Sequence, residues 1–183
     1  MRLETLYIGR HGVAEDGHPD HPGDDDQRRL TPEGADETRL VYAAASRAGV
    51  AVDAIWTSPL VRARETAAIA TEMLLPGTAP TVVEALRLGA RTGDLVAALA
   101  ASDVRRLLVV GHEPSLSELF GALLSRGAAR VRVPRAGLGC VATRAVNERV
   151  VGELRWLAPP DLLTGRPRPD GEPRWWEPGG GRA

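Results

Sequence analysis

Residues 105–114, "RRLLVVGHEP", constrain this chain more than any other stretch. Leu107, Leu108, Val109 and Val110 cannot alternate between an apolar and a wet face. Such a strand needs cover on both sides, which places it inside a parallel sheet with helices above and below. The rest of the chain agrees. From Leu3 to about Leu157, short β-like runs alternate with helical patterns, as in an α/β sheet with crossover helices.

Residues 6–8, 54–56 and 81–83 read as further strands. Residues 139–146 and 150–157 read as a hairpin at a sheet edge, joined near Asn147 and Glu148. Thr31-Pro32 is an N-cap followed by proline at the first helical position. Val41, Ala44, Ala45 and Ala48 then give one apolar helix face, and Gly49 is placed to end it. Ser58-Pro59 repeats the cap-plus-proline signal for a helix to about Leu74. A third helix is predicted over 93–101. Pro114 starts a fourth, with Leu116, Leu119, Phe120 and Leu123 on one face. Residues 16–29 read as an exposed loop whose acidic run, Asp24, Asp25 and Asp26, is a solvated surface. The organisation predicted is a domain over 1–158 and a Pro/Gly/Arg-rich tail over 159–183. That tail is expected to be disordered or loosely docked, with Trp175 and Trp176 as its anchor.

Length and composition close off several classes. The 183 residues suit one domain, and aromatics at 4% leave the core to Leu, Val, Ile and Ala. A net charge of −1 offers no field for nucleic acid or an anionic membrane. No apolar run is long enough to span a bilayer, and no leader pattern opens the chain. The single cysteine, Cys140, forms no internal disulfide and is expected to be a buried, inert thiol. These features predict a cytoplasmic protein. Every basic residue is an arginine, so an arginine carries meaning only through its position.

Three positions stand out. His11 follows the first strand, Thr57-Ser58 the second, and His112 the buried strand ending at Val110. Ligand-binding residues of open α/β sheets collect beyond the carboxyl ends of the strands. If these strands are parallel neighbours, Arg10, His11, the 57–64 segment and His112 converge there. Arginine matches phosphate oxygens with a permanently charged fork. Arg62 and Arg64 lie in the first turns of a helix, whose N-terminus favours anions. Gly9 and Gly12 are expected to let backbone approach a ligand closely. Two histidines with arginines and no cysteine suit phosphoryl chemistry better than a metal. One imidazole would attack phosphorus, and the other would hold an equatorial oxygen. His18 and His21, with Asp20 and the acidic run, offer a divalent-ion alternative, but their spacing matches no strong ligand pattern.

"RHG" at 10–12, "TSPLVRARETA" at 57–67 and "VVGHEPSLSEL" at 109–119, in this order, resemble the histidine phosphatase superfamily, with its phosphoglycerate-mutase-like fold. Chain length and "RRLTPEG" are most similar to the small SixA-type phosphohistidine phosphatases. The resemblance implies a three-layer α/β fold with a central, mostly parallel sheet. It implies His11 as the nucleophile and Arg10 and Arg62 as phosphate ligands. His112 becomes the second pocket histidine, Glu84 the positional candidate for an acid, Gly12 a substrate-binding position, and Arg64 a rim residue. It also implies metal-independent hydrolysis with no cofactor. The expected substrate is phosphohistidine on a protein, such as a phosphotransfer domain. A small phosphomonoester, or phosphate binding without turnover, are the alternatives.

Overall fold

The computed structural model describes residues 2–20, 22–146 and 149–166. Its strands are β1 (Thr5–Arg10), β2 (Ala54–Thr57), β3 (Thr81–Val82), β4 (Arg106–Gly111), β5 (Leu138–Val146) and β6 (Arg149–Ala158). They form one sheet in the order β3-β2-β4-β1-β5-β6. β4 runs parallel to both β1 and β2, and β3 parallel to β2. β5 and β6 pair antiparallel at the far side, as the predicted edge hairpin. Asn147 and Glu148 lie outside the described residues.

The helices are α1 (Pro32–Arg47), α2 (Val61–Leu74), α3 (Thr92–Ala101), α4 (Ser115–Ser125) and α5 (Pro160–Thr164). Leu107 and Val109 of β4 join a cluster with Leu95 and Leu99 of α3 and Leu116 and Phe120 of α4. Leu108 and Val110 join a second cluster with Tyr42 and Ala45 of α1 and Ala63 and Ala67 of α2. Both faces of β4 are therefore covered, which is the physical reason for its unbroken apolar run. The architecture is the three-layer α/β arrangement expected.

Local signals held at α1 and failed at α2. Thr31 Oγ1 accepts the Gly34 amide at 2.9 Å, and Gly49 leaves the helix with φ +86°. The buried face of α1 is Gly34, Thr38, Val41, Tyr42 and Ala45, while Ala48 is exposed. Ser58 does not cap α2: Leu60 holds the N-cap position, and Ser58 and Pro59 form the turn before it. The chain just after residue 158 is ordered against the sheet's helices. Pro160–Thr164 is helical, Pro160 is buried, and Leu163 packs on the cluster shared by α1 and α2. Trp175 and Trp176 lie outside the described residues. Cys140 is buried, and burial raises its thiol pKa. Among the described residues no helix is long and apolar enough to cross a membrane.

Candidate active site

The parallel order β2-β4-β1 brings three strand exits side by side. Arg10 stands opposite Gly111, and Thr57 opposite Val110. Beyond those pairs the ladder continues: the His11 amide donates to Gly111 O at 3.1 Å, and the Ser58 amide to Val110 O at 3.0 Å. The rings of His11 and His112 face each other with centroids 5.0 Å apart and planes tilted by 51°. Arg62 enters from the first turn of α2 with its side chain 4% exposed.

The chemistry of His11 follows from one contact. Its Nδ1 lies 2.7 Å from the Gly12 carbonyl oxygen. A carbonyl only accepts, so Nδ1 carries the proton and Nε2 of the neutral ring holds a free lone pair. Burial is the main reason the ring stays neutral, pushing its pKa down to about 2. The nearby His112, Arg10 and Arg62 act in the same sense, and the Gly12 bond opposes them. His112 is likewise pushed down to about 3, by burial first and then by Arg62. Its Nε2 lies 2.8 Å from Ser58 Oγ, and its buried Nδ1 has no hydrogen-bond partner. Such an orphan costs about 1–3 kcal/mol, which a hydrogen-bonding ligand would recover.

Arg10 donates from one terminal nitrogen to Val133 O at 3.2 Å, and its buried Nε has no partner. Burial lowers its pKa to about 10, so it remains a cation at neutral pH. Glu113 holds the segment that anchors it, accepting the Val133 amide at 2.7 Å on one oxygen and Ser117 Oγ at 2.6 Å on the other. Thr66 ties β1 to α2 in a similar way. Its hydroxyl accepts the Gly12 amide at 3.1 Å and donates to Arg62 O at 2.8 Å. Glu113, Thr66 and the contact of Ser58 with His112 carry no motif of their own in the sequence. The available signal was their adjacency to His112 and Arg62 within the quoted segments.

Several expectations need correction. Gly9 and Gly12 do not clear room for a ligand. A Cβ on Gly9 would meet Tyr42 Oη at 2.6 Å, and one on Gly12 would strike Thr38 and lie 3.0 Å from Gly34 O. The space is filled by α1, and both backbone groups of Gly12 are engaged by protein. Gly12 O faces the His11 ring, and Gly12 N is held by Thr66 Oγ1. Glu84 has a side chain 73% exposed and accepts Arg87 Nε at 3.0 Å. It is not brought against the histidines. Arg64 is exposed, about 200° around α2 from the buried Arg62. The acidic run is not a plain solvated surface. Asp25 accepts from Arg62 and Arg28, and Asp26 accepts from Arg87 at 2.5 Å. Among the described residues no three His, Cys, Asp or Glu side chains gather to hold a metal ion. His21 lies outside those residues.

Buried Arg62 and half-buried Arg10 act on a pair of neutral imidazoles, and the chemistry of that set, two fixed cations and a nitrogen lone pair, suits a phosphoryl dianion. Residues 6–88 match the family model of the histidine phosphatase superfamily, branch 1. Over 122 residues the chain is 39% identical to an uncharacterized protein of Picosynechococcus sp., covering 64% of this chain and 72% of that one. The protein histidine phosphatase SixA complexed with tungstate superposes with a TM-score of 0.76 at 25% identity, over 87% of this chain and 99% of that chain. A mycobacterial glucosyl-3-phosphoglycerate phosphatase in complex with VO3 shares the fold, with a TM-score of 0.62 at 19% identity over 84% and 98% of the two chains. The chain belongs to the histidine phosphatase superfamily, and it is a phosphatase.

Proposed function

We propose that this phosphatase works without a metal, through a phosphohistidine on His11, and that its substrate is phosphohistidine carried by a protein. The carrying observation is the bond from His11 Nδ1–H to Gly12 O, which leaves Nε2 as an unprotonated nucleophile. In the first step Nε2 attacks phosphorus in line. The P–N bond to His11 forms as the bond to the substrate nitrogen breaks, and the departing imidazole leaves with a proton. Water then attacks the phosphohistidine, Nε2 regains its lone pair, and phosphate and a proton are released. Arg10 and Arg62 hold the phosphoryl oxygens, with His112 Nδ1 as a third contact.

The place of Glu84 supports the choice of substrate. An alkoxide leaving group needs a strong acid close by, whereas a protonated ring nitrogen leaves without one. The test compares a phosphohistidine-bearing protein with a panel of small phosphomonoesters. Preference for the protein by at least tenfold in kcat/KM is expected; preference for a small ester would remove this substrate. EDTA should leave the rate unchanged, and a large loss would revive a metal at the His18 loop.

The lowered histidine pKa values fix the pH behaviour. In the unfolded chain each imidazole takes up a proton near pH 6.5, while in the folded protein His11 and His112 stay neutral far below that. The unfolded state therefore binds more protons as pH falls, and stability is lost below about pH 6.5. The melting temperature should drop there. The rate per folded molecule should stay flat from pH 8 to 6 on an aryl phosphate that ionises below that range. A sigmoidal loss of kcat/KM centred near 6.5 would contradict it.

A further inference from the structure

The loop between Glu15 and Arg29 leaves and returns through a closed neck. Ala14 bridges Leu30, and the Glu15 amide donates to Arg29 O at 2.9 Å. Its far side folds back onto the site as a short 3-10 turn, Asp25–Gln27. There the Arg62 guanidinium donates to Asp25 O at 2.6 Å and to its carboxylate Oδ2 at 2.8 Å. The other carboxylate oxygen accepts from Arg28 at 2.8 Å, and Arg28 and Arg62 together hold Asp25 ionised. The turn buries none of its residues and is held by polar contacts: Asp24 to the Asp26 amide, Arg28 to Glu15 O, and Arg87 to Asp26. A segment without apolar burial opens at little cost.

We propose that Asp25 is a built-in competitor for Arg62. Its carboxylate occupies the guanidinium in the resting protein, gives way when a phosphoryl group binds, and returns to help expel the product phosphate. This rests on the reading of Arg62 as a phosphoryl ligand. Asp25 acts through Arg62 and is not itself a catalytic residue. Its consequence is weak product inhibition: any ligand of Arg62 binds less tightly by the fraction of time that the arginine is already taken. The exchange makes and breaks no covalent bond. One anion replaces another on a fixed cation.

The experiment measures the inhibition constant of inorganic phosphate against aryl phosphate turnover, with melting temperatures alongside. In Asp25→Asn the carboxylate charge is gone, and phosphate should inhibit about five- to tenfold more strongly, with KM falling in parallel. Asp24→Ala loosens the turn but keeps the Asp25 carboxylate, and should shift the constant the same way by less. If Asp25 merely props Arg62 in place, Asp25→Asn weakens phosphate binding. That result, or an unchanged constant, overturns the proposal. Arg62→Ala separates the two readings: it should abolish most phosphate inhibition, and if inhibition survives, the assignment of Arg62 falls first.

Discussion

Replacing His11 with alanine should abolish turnover, with a fall of about 10⁴-fold or more on an aryl phosphate. The expectation is large because no other group described near the two arginines offers an equivalent lone pair. His112 has its Nε2 against Ser58 Oγ, and in its proposed role its Nδ1 presents a proton and not a lone pair. Glu84 is exposed and bound to Arg87, and Asp25 is bound to Arg28 and Arg62. The loss should appear in kcat and not as unfolding. His11 is 8% exposed, but its hydrogen-bond partners, Gly111 O of β4, Gly12 O and the Ala136 amide, are backbone groups, which the substitution leaves in place. Phosphate should still bind to the variant, since Arg10, Arg62 and His112 remain. Rapid acid-free quenching after labelled substrate should trap an alkali-stable, acid-labile phosphoryl group on the wild type and none on His11→Ala. Equal rates for the two proteins would sink the nucleophile assignment.

Where the sequence was legible, the reason was local or topological. Leu107 to Val110 could be read because burial on both faces leaves no alternative pattern. Thr31-Pro32 could be read because a cap depends on residues three apart. His11, Arg62 and His112 lie at successive strand exits, so one rule about parallel sheets gathered them without knowledge of the strand order. The failures are of another kind. The contact of Asp25 with Arg62 joins residues 37 apart through a loop with no periodic pattern, and nothing in composition fixes the path of such a loop. Gly9 and Gly12 announced that a Cβ is forbidden without saying what fills the space. The answer, α1, required the packed structure. Ser58-Pro59 has the chemistry of a helix cap, yet the serine hydroxyl is held by His112, two residues before the cap position. A residue that breaks a local rule beside a candidate site was, in this case, part of the site.

Gly34→Ala should be the most destabilising single methyl group that can be added to this protein's first helix. Alanine is favoured over glycine in a helix by about 0.5–1 kcal/mol, so propensity alone predicts a gain. Sterics decide otherwise. A Cβ at Gly34 would overlap the Val13 carbonyl oxygen and lie 2.9 Å from Val13 C and 3.0 Å from Val13 N. All three atoms are backbone, and that carbonyl also accepts the Thr31 amide at 3.0 Å, so the start of α1 cannot move without breaking its own anchor. Overpacking of this kind costs about 1–3 kcal/mol, and the strained backbone bond adds to it. The net loss should be about 2–3 kcal/mol, lowering the melting temperature by about 5–10 °C for a domain of this size. Val13 is two residues from His11, and Gly12 O orients the imidazole, so kcat should fall at least tenfold at temperatures where the variant is folded. Gly93→Ala is the matched control. Gly93 lies in α3 with nothing within 4 Å of a new Cβ, so only propensity acts and stability should rise by about 0.5–1 kcal/mol. Opposite signs for the same substitution in two helices would show that contact with the Val13 backbone, and not helix propensity, sets the residue at 34. A melting temperature for Gly34→Ala at or above the wild type would refute this account of how α1 holds the catalytic loop.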